Sequence, residues 1–271
     1  EKIATYCKEK NIILIEDLAH SIGTVYASGK EAGMVGDFVT LSFSQDKMID
    51  GISGGALIIR NQGSRIKDQE FIFETLSSKQ QIIDRLYPLF TLIIRKTYLF
   101  GVGKFLHFVL KRFKLLSSPM SDNRAVHSLP AWYCSLIYDE LSNLGKNLIH
   151  RKKIAAIYAD QLRGNLVADF IKKKSTFSTN VRFPIMYNGR VGLIKELKNH
   201  AVFVSDIWYD SPIAPKKYVH LSNYNHQCPQ ADDVSEKMLN LPTHRNISEN
   251  EAKYLAKIVN DWMDKSSSNE S

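Results

Sequence analysis

The sequence predicts an α/β fold built on a mostly parallel sheet with one antiparallel strand. A short apolar run at 12–15 ends in two acidic residues, a pattern typical of strands buried on both faces of such a sheet. A second run covers Phe38 to Phe43, and a third, from Ala56 to Ile59, follows Gly54-Gly55. About a dozen residues separate these two runs, and a parallel crossover usually needs at least that many. We therefore expect the third strand to be antiparallel.

Helices are predicted on either side of these strands. Residues 2–9 suit a helix that Asn11 ends. Between 61 and 120, Pro88, Gly101 and Gly103 indicate several short helices rather than one. No apolar stretch there reaches the roughly 18 residues that a membrane span needs. This segment is either a helical insertion packed on the domain or on a partner subunit, or a basic, apolar element resting on a membrane surface through 82–112.

The second half alternates helix and strand, which predicts a small α/β domain. One or two helices are expected at 129–163, and strands at Asn180–Met186 and Ala201–Tyr209. A closing helix begins at a capping box formed by Ser248 and Glu251. Apolar residues at helical spacing are expected in the core; they are Leu129, Trp132, Tyr133, Leu136, Ile137, Ile154, Ile157, Leu162, Leu255, Ile258, Val259 and Trp262.

Composition limits the classes of function. The 271 residues carry a formal net charge of +8, which suits an anionic ligand or surface as well as an ordinary solvated one. There is no Lys/Arg run with interleaved aromatics, so nucleic acid is not an expected partner. Three distant cysteines form no CxxC pair, which indicates no disulfide framework and no zinc site and fits a reducing cytoplasm. The chain starts at Glu1 without a signal-peptide pattern, and we expect further residues upstream.

Four polar residues follow the first two predicted strands. Asp17 ends the first strand and His20 comes three residues later; Ser42 lies near the end of the second strand, and Lys47 follows in the next loop. In open α/β sheets, ligands bind outside the carboxyl ends of the strands. An acid, a hydroxyl and a lysine there could converge on one ligand, but the spacing alone fits a surface lysine and a strand-end aspartate better.

Two segments give this pattern a family resemblance. ILIEDLAHSIG and GDFVTLSFSQDKMIDGISGGALIIRN are similar to the DegT/DnrJ/EryC1/StrS aminotransferases, which have an E-D-x-A-[HQ] strand end, a strand ending in S-F and a lysine four residues beyond. Downstream, RKKIAAIYADQL and NLPTHRNISENE also resemble family segments. The resemblance implies fold type I of the pyridoxal-phosphate (PLP) enzymes, with PLP as cofactor.

The resemblance implies a role for each residue. Lys47 would form a Schiff base with the cofactor aldehyde and, once displaced, move a proton at the substrate carbon. Asp17 would keep the pyridine nitrogen protonated, which makes the ring an electron sink. His20 would contact the ring or its phenolic oxygen, and Ser42 would donate to the phosphate. Asn123, within Asp122-Asn123-Arg124, would reach the cofactor of a neighbouring subunit, which implies a homodimer with shared sites.

The chain departs from the family pattern around the lysine. The family often has His-Pro between the Phe and the Lys, whereas this chain has Ser44-Gln45-Asp46. It often has Gly-Glu before Gly-Gly, whereas Ile52-Ser53 stand here. Family members also have a Gly-rich phosphate loop and a ring-stacking residue further upstream. We therefore expect the 271-residue chain alone not to catalyse the reaction.

The predicted organisation places the end of a cofactor-binding domain at 1–60, a helical insertion at 61–120, a small α/β domain at 121–265 and a disordered tail at 266–271. The expected function is amination of a nucleotide-linked keto sugar in the cytoplasm, with glutamate as the amino donor. Two alternatives stay open: a sugar dehydratase of the same fold, in which histidine replaces the lysine, and a non-catalytic sensor or assembly relative.

Overall fold

The computed structural model describes residues 1–60, 73–117, 126–204 and 209–269. The chain forms two compact units, Glu1–Gly145 and Lys146–Ser271. The three domain boundaries expected from the sequence, at 60, 120 and 265, stay predictions.

The first unit opens with a helix and a three-stranded sheet. Helix α1 (Lys2–Glu9) ends before Asn11, whose φ of 53° turns the chain out of the helix. Strands β1 (Ile15–Asp17), β2 (Phe38–Ser42) and β3 (Gly55–Ile59) follow, in the order β1-β2-β3. β1 is parallel to β2, and β3 is antiparallel to β2, which confirms the expected reversal.

The first strand differs from its sequence prediction. β1 begins at Ile15 rather than Ile12, and the run is not buried on both faces, because Ile13 and Ile15 are 58% and 60% exposed. Within the described sheet β1 is an edge strand, and no described element covers the side chains of these isoleucines. The apolar run therefore predicted the strand correctly, but the expectation that both of its faces are buried is wrong.

A helical hairpin follows strand β4 (Glu74–Thr75). It consists of α2 (Ser78–Thr97) and α3 (Val102–Arg112). The prediction of several short helices is wrong for α2, which continues through Pro88 for 20 residues. Buried Ile83 and Ile94 stabilise α2 although the proline removes one backbone donor. Across the described ranges, no helix combines the length and the apolar character that a bilayer crossing requires.

Strand β5 (His127–Ser128) pairs parallel with β4 and leads into α4 (Ala131–Ser142) and α5 (Leu144–Gln161). In the first unit, Tyr133 and Ile137 of α4 pack with Phe43, which precedes Lys47, and with Ile49, which follows it. The Tyr133 hydroxyl also donates a hydrogen bond to buried Asp84 of α2. The loop of Lys47 therefore packs on α4, and α4 is in turn hydrogen-bonded to α2.

The second unit has one hydrophobic core around a two-stranded antiparallel sheet. Its elements are α6 (Asp169–Lys174), β6 (Arg182–Met186), α7 (Arg190–Asn199), α8 (Pro229–Lys237), β7 (Met238–Pro242) and α9 (Glu249–Asn269), with 3₁₀ turns at Gly164–Leu166 and Lys216–Leu221. Alternate residues of both strands face the core, as in Phe183, Ile185, Leu239 and Leu241. Helix and strand thus alternate here as the sequence predicted.

Two predictions in this unit have different outcomes. The capping box is confirmed, because the Ser248 hydroxyl accepts from Glu251 N at 3.2 Å and the Glu251 carboxylate accepts from Ser248 N at 2.7 Å. The strand expected at 201–209 is not found at 201–204, where the backbone leaves α7 through Ala201 with a φ of 59°; residues 205–208 lie outside the described ones.

The last helix is longer than the sequence indicated. α9 runs to Asn269 and so enters the segment 266–271 for which a disordered tail was expected. No Gly or Pro interrupts the run of serines there, and the Ser266 hydroxyl donates to Trp262 O at 2.9 Å. Residues 270–271 lie outside the described ones.

Candidate functional site

The carboxyl ends of β1 and β2 carry the candidate site. Asp17 is the last residue of β1 and Ser42 the last residue of β2. Because these strands are parallel, both ends meet at the same edge of the sheet. The loops that follow carry His20 and Lys47 respectively. Four of the five residues predicted for the site therefore belong to one edge.

One oxygen of the Asp17 carboxylate is fixed by its neighbours. Oδ1 accepts hydrogen bonds from Ala19 N at 2.9 Å and from the Thr40 hydroxyl at 3.2 Å. Among the described residues, no hydrogen bond uses Oδ2. The carboxylate is thus oriented by one oxygen while the other is available to a donor from a ligand.

Lys47 and His20 meet between the two loops. The Lys47 amine is in hydrogen-bond contact with Nε2 of His20. The first of these residues follows β2 and the second follows β1, so the contact joins the two strand ends. It brings a primary amine to the edge of the sheet where Asp17 ends its strand.

The backbone of the lysine loop is closed on itself. Gly51 N donates to Phe43 O at 2.8 Å, and Phe43 N donates to Gly54 O at 2.9 Å. Between these bonds Met48 and Ile49 are buried, at 3% and 1% exposure. These anchors on both sides restrict where the Lys47 side chain can reach.

Two residues of this loop have unusual backbone geometry. Asp46 has a φ of 68° and Ile52 a φ of 71°. Aspartate tolerates this left-handed region, whereas a β-branched residue there is strained. Ile52 stands where the resembling family often has glycine, which adopts a positive φ without strain.

Ser42 has its hydrogen-bond partner in the same segment. Its hydroxyl shares a hydrogen bond with the Ser44 hydroxyl at 3.2 Å, and its backbone pairs with Gly55 of β3. Either hydroxyl can donate to a phosphate from this position. Asn123, the fifth predicted residue, lies outside the described residues.

The structure adds two residues that sequence reasoning missed. Thr40 is opposite Asp17 in the β1–β2 register, which is how its hydroxyl reaches the carboxylate. Thr40 could have been found from the strand register, but the register can be assigned only once β1 and β2 are known to be neighbours. Glu16 precedes Asp17, and the motif resemblance had already included it without assigning it a role.

The Glu16 carboxylate organises the segment from Tyr26 to Gly36. Oε1 accepts from the Tyr26 hydroxyl at 2.6 Å and from Gly33 N at 2.8 Å. Oε2 accepts from Val35 N at 3.0 Å and from Gly36 N at 2.6 Å. Four donors on one buried carboxylate fix this segment to the strand that carries Asp17.

These hydrogen bonds determine the protonation states of Glu16 and Tyr26. Burial by itself would raise the pKa of the Glu16 carboxyl, but the Tyr26 hydroxyl and the three backbone N–H groups together lower it below its ordinary value. The same bond to Glu16 raises the pKa of Tyr26 to about 12. Glu16 is therefore ionised, and Tyr26 protonated, at neutral pH.

A cavity of about 300 Å³ lies within the first unit, next to the lysine loop. Its lining residues are Gln45, Tyr87, Thr91, Ile94, Arg95, His107, Lys111, Leu116 and Ser117. Gln45 is buried, and its Nε2 makes no hydrogen bond to any described residue. The lining contains donors and cations but no carboxylate, so its chemistry suits an anionic group.

The residues at the strand ends fit PLP. A lysine amine can link to the cofactor aldehyde, and a carboxylate with one oxygen available can accept from the pyridine nitrogen. His20, Ser42 and Ser44 supply further polar contacts at the same edge. No cluster of His, Cys, Asp or Glu in the described ranges is suited to a metal ion.

Comparison with protein families shows what this chain resembles. The model of the DegT/DnrJ/EryC1/StrS aminotransferase family matches residues 1–87 and 127–260. The UDP-4-amino-4,6-dideoxy-N-acetyl-beta-L-altrosamine transaminase of Campylobacter jejuni is 23% identical over 94% of this chain and 60% of its own length. The GDP-perosamine synthase of Vibrio cholerae is 23% identical over 97% of this chain and 62% of its own length. The chain thus spans about 60% of the length of the curated relatives it matches.

Solved structures agree on the fold. Spr1654 of Streptococcus pneumoniae, in its PLP-form, has a TM-score of 0.62 at 18% identity, covering 96% of this chain and 60% of its own. A family aminotransferase from Brucella abortus has a TM-score of 0.59 at 18% identity, over 96% of this chain and 60% of its own. Fold type I and PLP as the family's cofactor are thereby confirmed. The chain belongs to the DegT/DnrJ/EryC1/StrS aminotransferase family.

Proposed function

We propose that the protein containing this chain aminates a nucleotide-linked keto sugar, with PLP held by Lys47. The observation that carries the proposal is the contact of the Lys47 amine with His20 at the strand edge that Asp17 also occupies. Two relatives, from C. jejuni and V. cholerae, are a UDP-amino-sugar transaminase and a GDP-perosamine synthase, which supports a sugar nucleotide as the substrate class.

Each residue has a distinct task in this proposal. PLP supplies an electron sink when it is bound. The free oxygen of Asp17 would accept a hydrogen bond from the protonated pyridine nitrogen and so keep that nitrogen protonated, while Thr40 and the backbone of Ala19 hold the carboxylate in place. Lys47 first holds the cofactor and then, as a free amine, moves the proton at the sugar carbon that receives nitrogen. Ser42 donates to the phosphate, and His20 orients the lysine and contacts the ring.

Five finer parts of the proposal go beyond the chain's own contacts. Glutamate is the amino donor, and the reaction takes place in the cytoplasm, which fits three free cysteines. The protein acts as a homodimer in which Asn123 reaches the partner's cofactor. Because the chain spans about 60% of its relatives' length, transamination requires residues beyond these 271. The product belongs to the synthesis of cell-surface polysaccharide.

A test begins with the cofactor. Full-length protein is mixed with PLP, reduced with borohydride and digested, and mass spectrometry locates the pyridoxyl group. We expect it on Lys47, and we expect Lys47→Ala to abolish both the label and the visible absorbance, while Lys30→Ala, at an exposed lysine of the same unit, keeps both. Protein that never binds PLP would instead indicate a non-catalytic relative.

Activity is then measured by transfer of ¹⁵N from labelled glutamate to UDP- and GDP-linked keto sugars. We expect a labelled amino sugar with the full-length protein and none with Lys47→Ala. Loss of a sugar hydroxyl without nitrogen transfer would indicate the dehydratase instead. Transamination by the isolated 271-residue chain would contradict the requirement for further residues.

A further inference from the structure

The helical hairpin contains a surface that the family match does not explain. The family model leaves residues 88–126 unmatched, and the described part of this stretch, 88–117 and residue 126, contains the second half of α2 and all of α3. We call the exposed side chains of 88–117 the hairpin surface. Since the family model does not include it, its chemistry points to a property of this chain beyond sugar transamination.

Large apolar side chains dominate the hairpin surface. At the turn between the helices, Leu99 and Phe100 are 68% and 83% exposed. On α3, Phe105 and Phe108 are 70% and 66% exposed. The remaining exposed members are Leu89, Leu92, Ile93, Val102, Phe113 and Leu115. Apolar groups this concentrated mark an interaction surface rather than the scattered exposure normal for a soluble face.

The charges on the hairpin surface all have one sign. Residues 88–117 contain six Lys and Arg residues and no Asp or Glu. On α3, Lys104, Phe105 and Phe108 are exposed, and Lys111 and Arg112 follow one turn later. At 100° per residue these five positions cover one arc of the helix, so cations flank the phenylalanines.

The same helix buries its opposite side against α2. Leu110 is buried, and Gly103 lies so close to α2 that an added Cβ would be 2.2 Å from Ile94 O. A residue larger than glycine cannot occupy that position without moving the helices apart. The hairpin is therefore a preformed element that holds its apolar and basic groups outward.

We propose that the hairpin surface docks on an anionic lipid bilayer. Amphipathic helices with Lys and Arg beside Phe and Leu bind in the plane of the membrane interface, with the aromatic groups in the acyl boundary and the cations at the headgroups. A protein partner would need an acidic surface to match six cations, whereas an anionic leaflet supplies that charge over its whole area. The docking would hold the enzyme at the membrane surface through this hairpin.

Vesicle flotation of the full-length protein tests the proposal. The vesicles are phosphatidylcholine with or without phosphatidylglycerol. We expect flotation with the anionic vesicles that falls about tenfold or more when phosphatidylglycerol is omitted or salt is raised. Phe100→Asp/Phe105→Asp and Lys104→Glu/Arg112→Glu should each lower the bound fraction by about tenfold or more.

Matched controls come from α6 of the second unit and the turn after it, whose apolar and basic residues are also exposed. Phe170→Asp/Phe177→Asp and Lys173→Glu/Lys174→Glu make the same chemical changes at exposed sites, and we expect flotation to be unchanged. Circular dichroism verifies that every variant is folded, and PLP absorbance verifies the active site separately. Docking can therefore fail while the sugar transaminase proposal holds.

Three outcomes would overturn the proposal. The first is a full-length protein that stays with the soluble fraction at low salt. The second is equal binding to neutral and anionic vesicles. The third is a change of oligomeric state in Phe100→Asp/Phe105→Asp, seen by sedimentation, without vesicle binding by the unmodified protein, which would make the surface an interface between two copies of the chain.

Discussion

The amine of Lys47 contacts Nε2 of His20, so the loops after two neighbouring parallel strands are joined at their tips. Asp17 ends the strand before His20, and its carboxylate is held by the backbone of Ala19. The lysine and the carboxylate expected to act in a PLP enzyme are therefore both held at the same edge of the β1–β2 pair. From this contact we predict that His20 orients the lysine.

Replacing His20 by Ala should weaken cofactor retention. Loss of one hydrogen bond is worth about 1 kcal/mol, which corresponds to roughly five- to tenfold in affinity. We expect that fall in a PLP titration of the full-length protein followed by visible absorbance, with borohydride still labelling Lys47. His220→Ala, at an exposed histidine of the second unit, serves as the control. Equal retention in both variants would show that His20 does not orient the lysine.

Thr40 should act as a positioning residue through Asp17. Thr40→Val keeps the side-chain shape but removes the hydroxyl that donates to Oδ1 at 3.2 Å. We expect kcat to fall about five- to tenfold, since the bond is worth about 1 kcal/mol, while KM for the sugar stays constant. Thr40→Ser restores the hydroxyl and should restore kcat. A Val variant with unchanged kcat, or one that changes only KM, would contradict the assignment.

Substitution of Asp17 should lower turnover more than substitution of Thr40 does. Asp17→Asn can still accept from Ala19 N and from Thr40 through its amide oxygen, so the geometry is kept while the charge is lost. We expect the full-length variant to bind PLP but to turn over about 100-fold more slowly, as when one electrostatic group at a reacting centre is removed. Near-normal turnover would mean that this carboxylate does not face the pyridine nitrogen.

Local sequence signals predicted where the candidate residues lie on the sheet, because these residues lie close to the strands that carry them. Asp17 and Ser42 end their strands where the apolar runs end. Thr40 could not be found this way, because its contact depends on the pairing of β1 with β2, 23 residues apart. Sequence position places a residue on its own element, whereas register decides which residue lies opposite it.

The helices also show that local features were predictable from the sequence and that contacts between distant elements were not. Pro88 predicted a break, but α2 continues because Ile83 and Ile94 are buried on the two sides of the proline. Tertiary packing outweighs the loss of one backbone hydrogen bond there. The capping box at Ser248 was predictable because both of its partners lie within four residues. Contacts between distant elements are what the sequence pattern does not contain.

Ile52 should tolerate glycine better than its burial suggests. Its φ of 71° costs about 1–3 kcal/mol for a β-branched residue, and Ile52→Gly removes that strain while losing the burial of a side chain that is 6% exposed. Ile49, three residues earlier, is 1% exposed and has no positive φ. In urea denaturation, the free energy of unfolding should therefore fall by less in Ile52→Gly than in Ile49→Gly, and the difference should be about 1–3 kcal/mol. Equal losses would show that the backbone at Ile52 is not strained.

Glu16 should make the stability of the first unit sensitive to acid. Its folded-state pKa is lowered below 4.5, chiefly because the hydrogen bonds of Tyr26 and the backbone outweigh the opposing effect of burial. The unfolded chain therefore binds the proton more readily, and the stabilisation is complete above pH 4.5 and is lost as pH falls below it. Glu16→Gln turns one accepting oxygen into a donor that faces donors, which should cost about 1–3 kcal/mol at neutral pH. In the variant, the free energy of unfolding should fall less steeply below pH 4.5. Glu9→Gln, on exposed α1, should preserve both the neutral-pH stability and the acid slope of the unmodified chain; a parallel acid slope in Glu16→Gln would mean that another carboxylate is responsible.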